Sequence, residues 1–254
     1  MIDIGFEAQR FILVFFRVLS MISLLPLFQS RSISGGYKAA LSLSIAFLLF
    51  GSVSVPDLHG DPYLLLLMIL KEVLIGFSIG FFVRVLLSMA SAAGELVSMQ
   101  SGLSFARSMD PTMMTQTTVL EQFQGLLAIM IFLGIDGHLT LLKSLSVSLK
   151  EVPPGSVSIK PALFKYMIDV VGKLFGASLK ICAPVVVTLF LVDIVLGILA
   201  RMIPQVNVFI EGASIKILVA LAMLAFSLNL IVPIVAGLFK GMDTEVLRIM
   251  RYLG

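Results

Sequence analysis

Residues 63–98 read YLLLLMILKEVLIGFSIGFFVRVLLSMASAAGELVS. About 20 consecutive apolar residues cross a bilayer as a helix, and this run is longer, broken only by Lys71, Glu72, Arg84 and Glu95. Similar runs recur along the chain. Candidate helices fall at 8–28, 37–55, 63–98, 117–135, 138–150, 162–201 and 207–240, with glycine and proline at most joints. The 254 residues are 59% hydrophobic and 13% charged, against about 25% charged in an ordinary soluble domain. With a mean hydropathy of +1.09, the expected fold class is all-α: a polytopic helical membrane protein with kinked hairpins.

Charge gives a partial topology. The 29–38 connector holds Arg31 and Lys38 without an acid, 56–62 holds Asp57 and Asp61 without a base, and the tail carries Lys240, Arg248 and Arg251. Positive residues mark the cytoplasmic side, which places 29–38 and the tail inside and 56–62 outside. The pI near 9.1 reflects few acids; no basic patch of the kind nucleic-acid binding needs is visible. The single Cys182 excludes a disulfide framework and a cysteine metal site. No small-residue cleavage signature follows the first apolar run, so a removable signal peptide is not expected.

Several helices carry more than lipid-facing side chains. Glu72, Gly76, Gly80 and Arg84 form one i,i+4 row, and Gly76-x-x-x-Gly80 lets another helix approach closely. Asp193, Gly197 and Arg201 form another row, and Glu121 and Lys216 also lie inside apolar runs. Ionisable groups at such positions read as a relay or as inter-helix and inter-subunit pairing; each acid has a base within one or two turns, which favours pairing. Pro184 removes a helix hydrogen bond and predicts a kink. Chemistry has little support: His138 reads as the polar tip of a capping turn, and no GxSxG or HExxH is present. No catalytic residue, metal or cofactor is expected.

The connector following the 63–98 run is unusual. Residues 94–118, GELVSMQSGLSFARSMDPTMMTQTT, hold Glu95, Arg107, Asp110, Pro111, two glycines and four methionines between apolar helices. Irregular polar backbone at membrane depth is tolerated only where protein buries it or water reaches it. That points to a pathway or gate. Met99, Met109, Met113 and Met114 read either as packing filler or as an adaptable seal.

These features lie beside further ones: Lys71-Glu72-x-x-Ile75-Gly76 with Gly80-Phe81, Gly94-Glu95, Gln100-Ser101-Gly102-Leu103-Ser104-Phe105-Ala106, Asp110-Pro111, Gly137-His138, Pro153-Pro154-Gly155, Arg201-Met202-x-Pro204-Gln205-x-Asn207-Val208-Phe209 and Lys216-Ile217. In order and spacing they resemble the FliR/SctT family of type III secretion export-gate subunits, over nearly the whole chain. The resemblance implies a non-enzymatic subunit in the bacterial inner membrane, at the flagellar basal body. It implies assembly with FliP-like and FliQ-like subunits and an FlhB-like switch protein into a closed pore for unfolded flagellar proteins. It also implies one export-gate domain: a FliP-like part over about 1–160, a FliQ-like hairpin over about 165–240, and a cytoplasm-facing tail at 241–254. Such assemblies sit largely above the bilayer plane, which conflicts with the topology from charge counting.

The resemblance further implies that the segment after Gly102 plugs the pore, with Leu103, Ser104 and Phe105 matching the family's plug. Ser108 stands where relatives often carry a second aromatic, so Met109, Met113 and Met114 become candidates for the missing apolar bulk. Gly76, Gly80, Gly94, Gly102, Pro111 and Pro184 are then hinge or close-packing positions. Glu72, Arg84, Glu95, Asp110, Glu121, Asp193, Arg201 and Lys216 are inter-helix or inter-subunit charges. The injectisome counterpart shares every one of these features. An ion or small-molecule transporter built on Glu72, Arg84 and Asp193 shares the charges alone.

Overall fold

In the computed structural model, which describes residues 4–29, 33–53, 62–104, 117–157, 160–203 and 208–254, the side chains at 4, 52 and 208–210 excepted, every regular element is helical. The helices are α1 (Ile4–Leu24), α2 (Gly35–Leu49), α3 (Pro62–Ser101), α4 (Val119–Gly134), α5 (Gly137–Glu151), α6 (Ala162–Met202), α7 (Val208–Lys240) and α8 (Met242–Leu253). Short 3-10 turns, Pro26–Phe28 and Phe50–Ser52, follow α1 and α2. Among the described residues, three helical segments are long and apolar enough to cross a membrane, α3, α6 and a third running from Glu211 along α7, and α4 with α5, bent by 67°, meet the same test as a pair. The chain is an all-helical, multi-pass membrane protein. α3 has 40 residues and α6 has 41; at about 1.5 Å per residue each is about 60 Å long, twice a hydrocarbon core of about 30 Å.

The helices divide into two compact units. The first comprises Met1–Val85, Asp136–Val171 and Phe239–Gly254; the second comprises Leu86–Ile135 and Gly172–Leu238. In the first, α1 lies against α3 at the two glycines. A Cβ on Gly76 would collide with the Arg17 carbonyl and the Ser20 hydroxyl, and one on Gly80 would lie 2.8 Å from the Met21 carbonyl oxygen. Only glycine permits backbones this close.

At the same crossing Arg17 is fully buried. Its Nε donates to Glu72 Oε2 (2.5 Å), Nη1 to the Ser148 carbonyl (2.9 Å) and Nη2 to the Val152 carbonyl (2.9 Å). Glu72 Oε1 accepts from the Gly155 backbone N–H (3.1 Å). One guanidinium thereby joins α1 to α3 and caps the end of α5: the Val152 carbonyl lies past the last internal bond of the helix, and the Ser148 carbonyl, already bonded to the Val152 N–H (3.0 Å), accepts a second donor. A cation there also complements the negative end of the helix dipole.

The tail expected at 241–254 is largely α8. Met242, Val246, Ile249, Met250 and Leu253 are buried, while Asp243, Arg248 and Arg251 are exposed. It packs on α5, and the Tyr166 hydroxyl donates to Glu245. Pro184 lies within α6, which continues to Met202; one turn on, the Thr188 hydroxyl donates to the Pro184 carbonyl (2.8 Å).

Candidate functional site at the base of residues 102 to 117

α3 stops where Gly102 takes a left-handed φ of 86°, a conformation that costs glycine least. The Ser104 backbone N–H then reaches back to the Ser98 carbonyl (3.3 Å). α4 begins at Thr118 with a capping box: the Thr118 hydroxyl accepts from the Glu121 backbone N–H (3.3 Å), and Glu121 Oε2 accepts from the Thr118 N–H (3.1 Å). Each half of such a box satisfies a donor that the helix start leaves open.

The same hydroxyl ties the two ends together. Ser98 Oγ donates to Thr118 Oγ1 (2.8 Å), and Thr118 Oγ1 donates to Glu95 Oε2 (3.1 Å). A hydroxyl offers one donor and two acceptor lone pairs, and all three are engaged here. Ser98 is fully buried and Thr118 nearly so, so the knot is shielded from water. Below it, α3 and α4 touch backbone to backbone: a Cβ on Gly94 would lie 2.6 Å from the Leu120 carbonyl oxygen and 2.7 Å from Glu121 Cα.

A second polar link leaves the end of α3. Gln100 Nε2 donates to Asp193 Oδ2 on α6 (2.9 Å), and Lys216 Nζ on α7 meets Asp193 Oδ1 at 2.9 Å. Both oxygens of Asp193 are engaged. Gly102 is thus two positions from a contact that reaches both α6 and α7. Leu103 and Ser104 are half-buried at the mouth of the segment. Phe105, Met109, Asp110, Pro111, Met113 and Met114 lie outside the described residues.

A family model for bacterial export proteins, family 1, matches residues 8–242. The chain belongs to that family. Among similar proteins, the flagellar biosynthetic protein FliR of Bacillus subtilis (strain 168) is 30% identical over 234 residues, 91% of this chain and 90% of the relative. FliR of Escherichia coli (strain K12) is 29% identical over 224 residues, 88% and 86% of the two chains. FliR of Aquifex aeolicus (strain VF5) is 28% identical over 230 residues, 90% and 89%. The resemblance to the FliR/SctT family stated from the motifs agrees with these matches.

The charges are distributed differently from the helix-row reading. Glu72 pairs with Arg17 on α1, not with a base one or two turns away, and Asp193 pairs with Lys216, not with Arg201. Arg84 and Arg201 are exposed. The rows failed as a guide because a turn-to-turn spacing shows which residues share a face, not what that face packs against. Four residues that matter were overlooked: Arg17, Ser98, Gln100 and Thr118. Arg17 was findable, being the one charge deep inside the first apolar run. Thr118 was findable as a capping residue three positions before Glu121. Nothing local distinguishes Ser98 from other polar residues of the same turn, and Gln100 stood only at the head of the Gln100-Ser101-Gly102 motif, with no partner to be read from it.

Gly94→Ala tests the helix contact. Intrinsic helix propensity favours alanine by about 1 kcal/mol, whereas a methyl pressed on backbone costs about 1–3 kcal/mol. The contact geometry makes the net change destabilising. The variant's unfolding temperature in detergent is expected to fall; a rise would show that α4 can move aside freely.

Proposed function

We propose that this chain is a non-enzymatic inner-membrane subunit of the flagellar type III export apparatus. Residues 102–117 act in it as a plug in a path for unfolded flagellar proteins. The observation that carries this reading is the anchoring of the segment: both ends meet at one buried hydroxyl, and its N-terminal end is linked through Gln100 to Asp193 and Lys216. A segment pinned at its ends and rich in methionine, glycine and serine between them suits a seal that must yield and re-form. The names of the relatives support the flagellar setting over the injectisome one.

The surface of the α6–α7 hairpin supports assembly with other subunits. Phe190, Leu191, Ile198, Leu218 and Phe226 are more than half exposed, and Lys180, Arg201 and Glu211 are exposed among them. An apolar surface of this kind calls for lipid or a partner, and charges within it favour a partner. FliP-like and FliQ-like subunits, bound by an FlhB-like protein, are the proposed partners, with the hairpin in the FliQ-like role. A solute transporter has less support: Glu72 and Asp193 have both oxygens engaged, leaving neither poised to carry an ion.

Co-expression with the FliP- and FliQ-like subunits of the same organism is the test. The chain is expected to elute from a detergent column in one assembly containing several copies of both. Elution alone in their presence, together with solute uptake by liposomes holding this chain only, would overturn the assignment.

A further inference from the structure

Two polar devices hold the end of α3, and they differ in how readily they part. The first is the knot. Ser98, fully buried, donates to Thr118, which is 7% exposed and donates in turn to Glu95. The Ser98 carbonyl is held as well, accepting from Ser101 Oγ (3.2 Å) and from the Ser104 N–H (3.3 Å). Opening the knot strips buried hydroxyls of partners that water cannot replace.

The second device is the bond from Gln100 to Asp193. Gln100 is half-buried, the Asp193 side chain is 37% exposed and that of Lys216 is 20% exposed. Water reaches this contact and can stand in for either partner, so it parts at far smaller cost, as half-exposed charged pairs do. Of the two devices, this is the one that yields first.

The hairpin of α6 and α7 keeps its own contacts when that bond breaks. A Cβ on Gly212 would lie 3.0 Å from Leu196 Cδ1, so the two helices touch there, and about one turn away Lys216 stays paired with Asp193. Loss of Gln100 removes one donor from the carboxylate and leaves its cation in place. Phe190 and Leu191, each 57% exposed, lie within one turn of Asp193. A displacement of the hairpin's outer face therefore reaches Asp193 directly.

We propose that Gln100 is the positioning residue at which the plug is let go. Movement of the hairpin breaks the Gln100–Asp193 bond and frees the last turn of α3, while the knot keeps the two ends of residues 102–117 joined. The inference rests on the reading of that segment as a plug, and adds the contact that releases it and the element that acts on the contact.

Complexes assembled with the FliP- and FliQ-like subunits are reconstituted and their ion conductance is measured. Gln100→Leu, which removes the donor, is expected to raise it about tenfold, the factor by which losing one hydrogen bond to a charged group shifts an equilibrium. Gln100→Glu sets two carboxylates face to face and is expected to conduct more still. Gln100→Glu/Asp193→Asn, which exchanges carboxylate and amide, is expected to return conductance to the unaltered level. Should Gln100→Glu not assemble, Gln100→Met, which keeps the side chain's length and loses only the amide, must leak as Gln100→Leu does. Ser98→Cys/Thr118→Cys, at positions whose oxygens are 2.8 Å apart, pins the segment's ends by a disulfide. The rise caused by Gln100→Leu is expected to persist in that background. No rise in Gln100→Leu, no recovery on exchange, or a rise abolished by the disulfide would each overturn this release point. Replacement of Phe105, Met109, Met113 and Met114 by glycine is measured alongside. If that variant leaks and Gln100→Leu does not, the release point falls and the plug stands. If it does not leak, the plug reading falls and the release point with it.

Discussion

Arg17→Met lowers the stability of the folded chain by about 3–5 kcal/mol, the usual cost of leaving one member of a buried ion pair alone. The loss falls on Glu72, which is fully buried and retains only the Gly155 N–H. It also falls on the Val152 carbonyl, which loses its guanidinium donor, while the Ser148 carbonyl keeps the Val152 N–H. Arg17→Lys rescues little. An ammonium is a point charge and cannot span the carboxylate and two carbonyls that a planar fork reaches together. Glu72→Gln is equally damaging in the other direction, since it strands the arginine. The double variant Arg17→Met/Glu72→Met recovers part of the loss, because an apolar pair of similar volume often replaces a buried ion pair at little cost. Recovery is incomplete, as the Val152 carbonyl left without its donor still costs about 1–3 kcal/mol. Unfolding in detergent, followed by loss of the monodisperse peak on heating, measures all four variants. A single variant within 1 kcal/mol of the unaltered chain, a margin well below the expected range, would remove this network from its structural role.

Replacing Phe105, Met109, Met113 and Met114 together by glycine or serine is expected to make the assembled complex leak ions. The expectation comes from composition and from the pinned ends of the segment. Hydrophobic constrictions close by excluding water, and four large apolar side chains represent about 1.5–3 kcal/mol of burial each. Losing even one such contribution corresponds to about tenfold in an equilibrium between closed and open forms, so conductance through reconstituted complexes is expected to rise by at least that factor. Ser108→Gly and Gln116→Gly, which remove no apolar bulk, serve as controls and are expected to leave it unchanged. If the fourfold variant conducts no more than the controls, the seal is made by other residues.

Long helices were legible because their cause is local. The run at 63–98 becomes Pro62–Ser101 and that at 162–201 becomes Ala162–Met202, since some twenty apolar residues in succession leave a membrane chain little else to form. The Gly76 and Gly80 spacing announced a close approach without naming α1 as the partner. α8 was overlooked because Asp243, Glu245, Arg248 and Arg251 lower its mean hydropathy to that of a wet tail. Its signal lay in periodicity instead: Met242, Val246, Ile249 and Leu253 recur at helical intervals. Partners of the charged residues were illegible for a different reason. Arg17 and Glu72 are 55 residues apart and Gln100 and Asp193 are 93 apart, and no periodicity within one helix encodes such distances. The knot at Thr118 lies between these extremes, with its capping half readable and its tie to Ser98 not.

The Arg17 network also sets an order in time. Val152 lies 135 residues after Arg17 in the chain, and ribosomes add about 5–20 residues per second. For roughly 7–27 seconds at that rate, the arginine therefore exists without the carbonyl that completes its shell. The last part of the first unit, Phe239–Gly254, emerges later still. A helix near the start of the chain thus waits for helices made much later before its surroundings are whole. A chain cut short before Glu72 carries at position 17 a cation without the carboxylate that pairs with it in the folded chain.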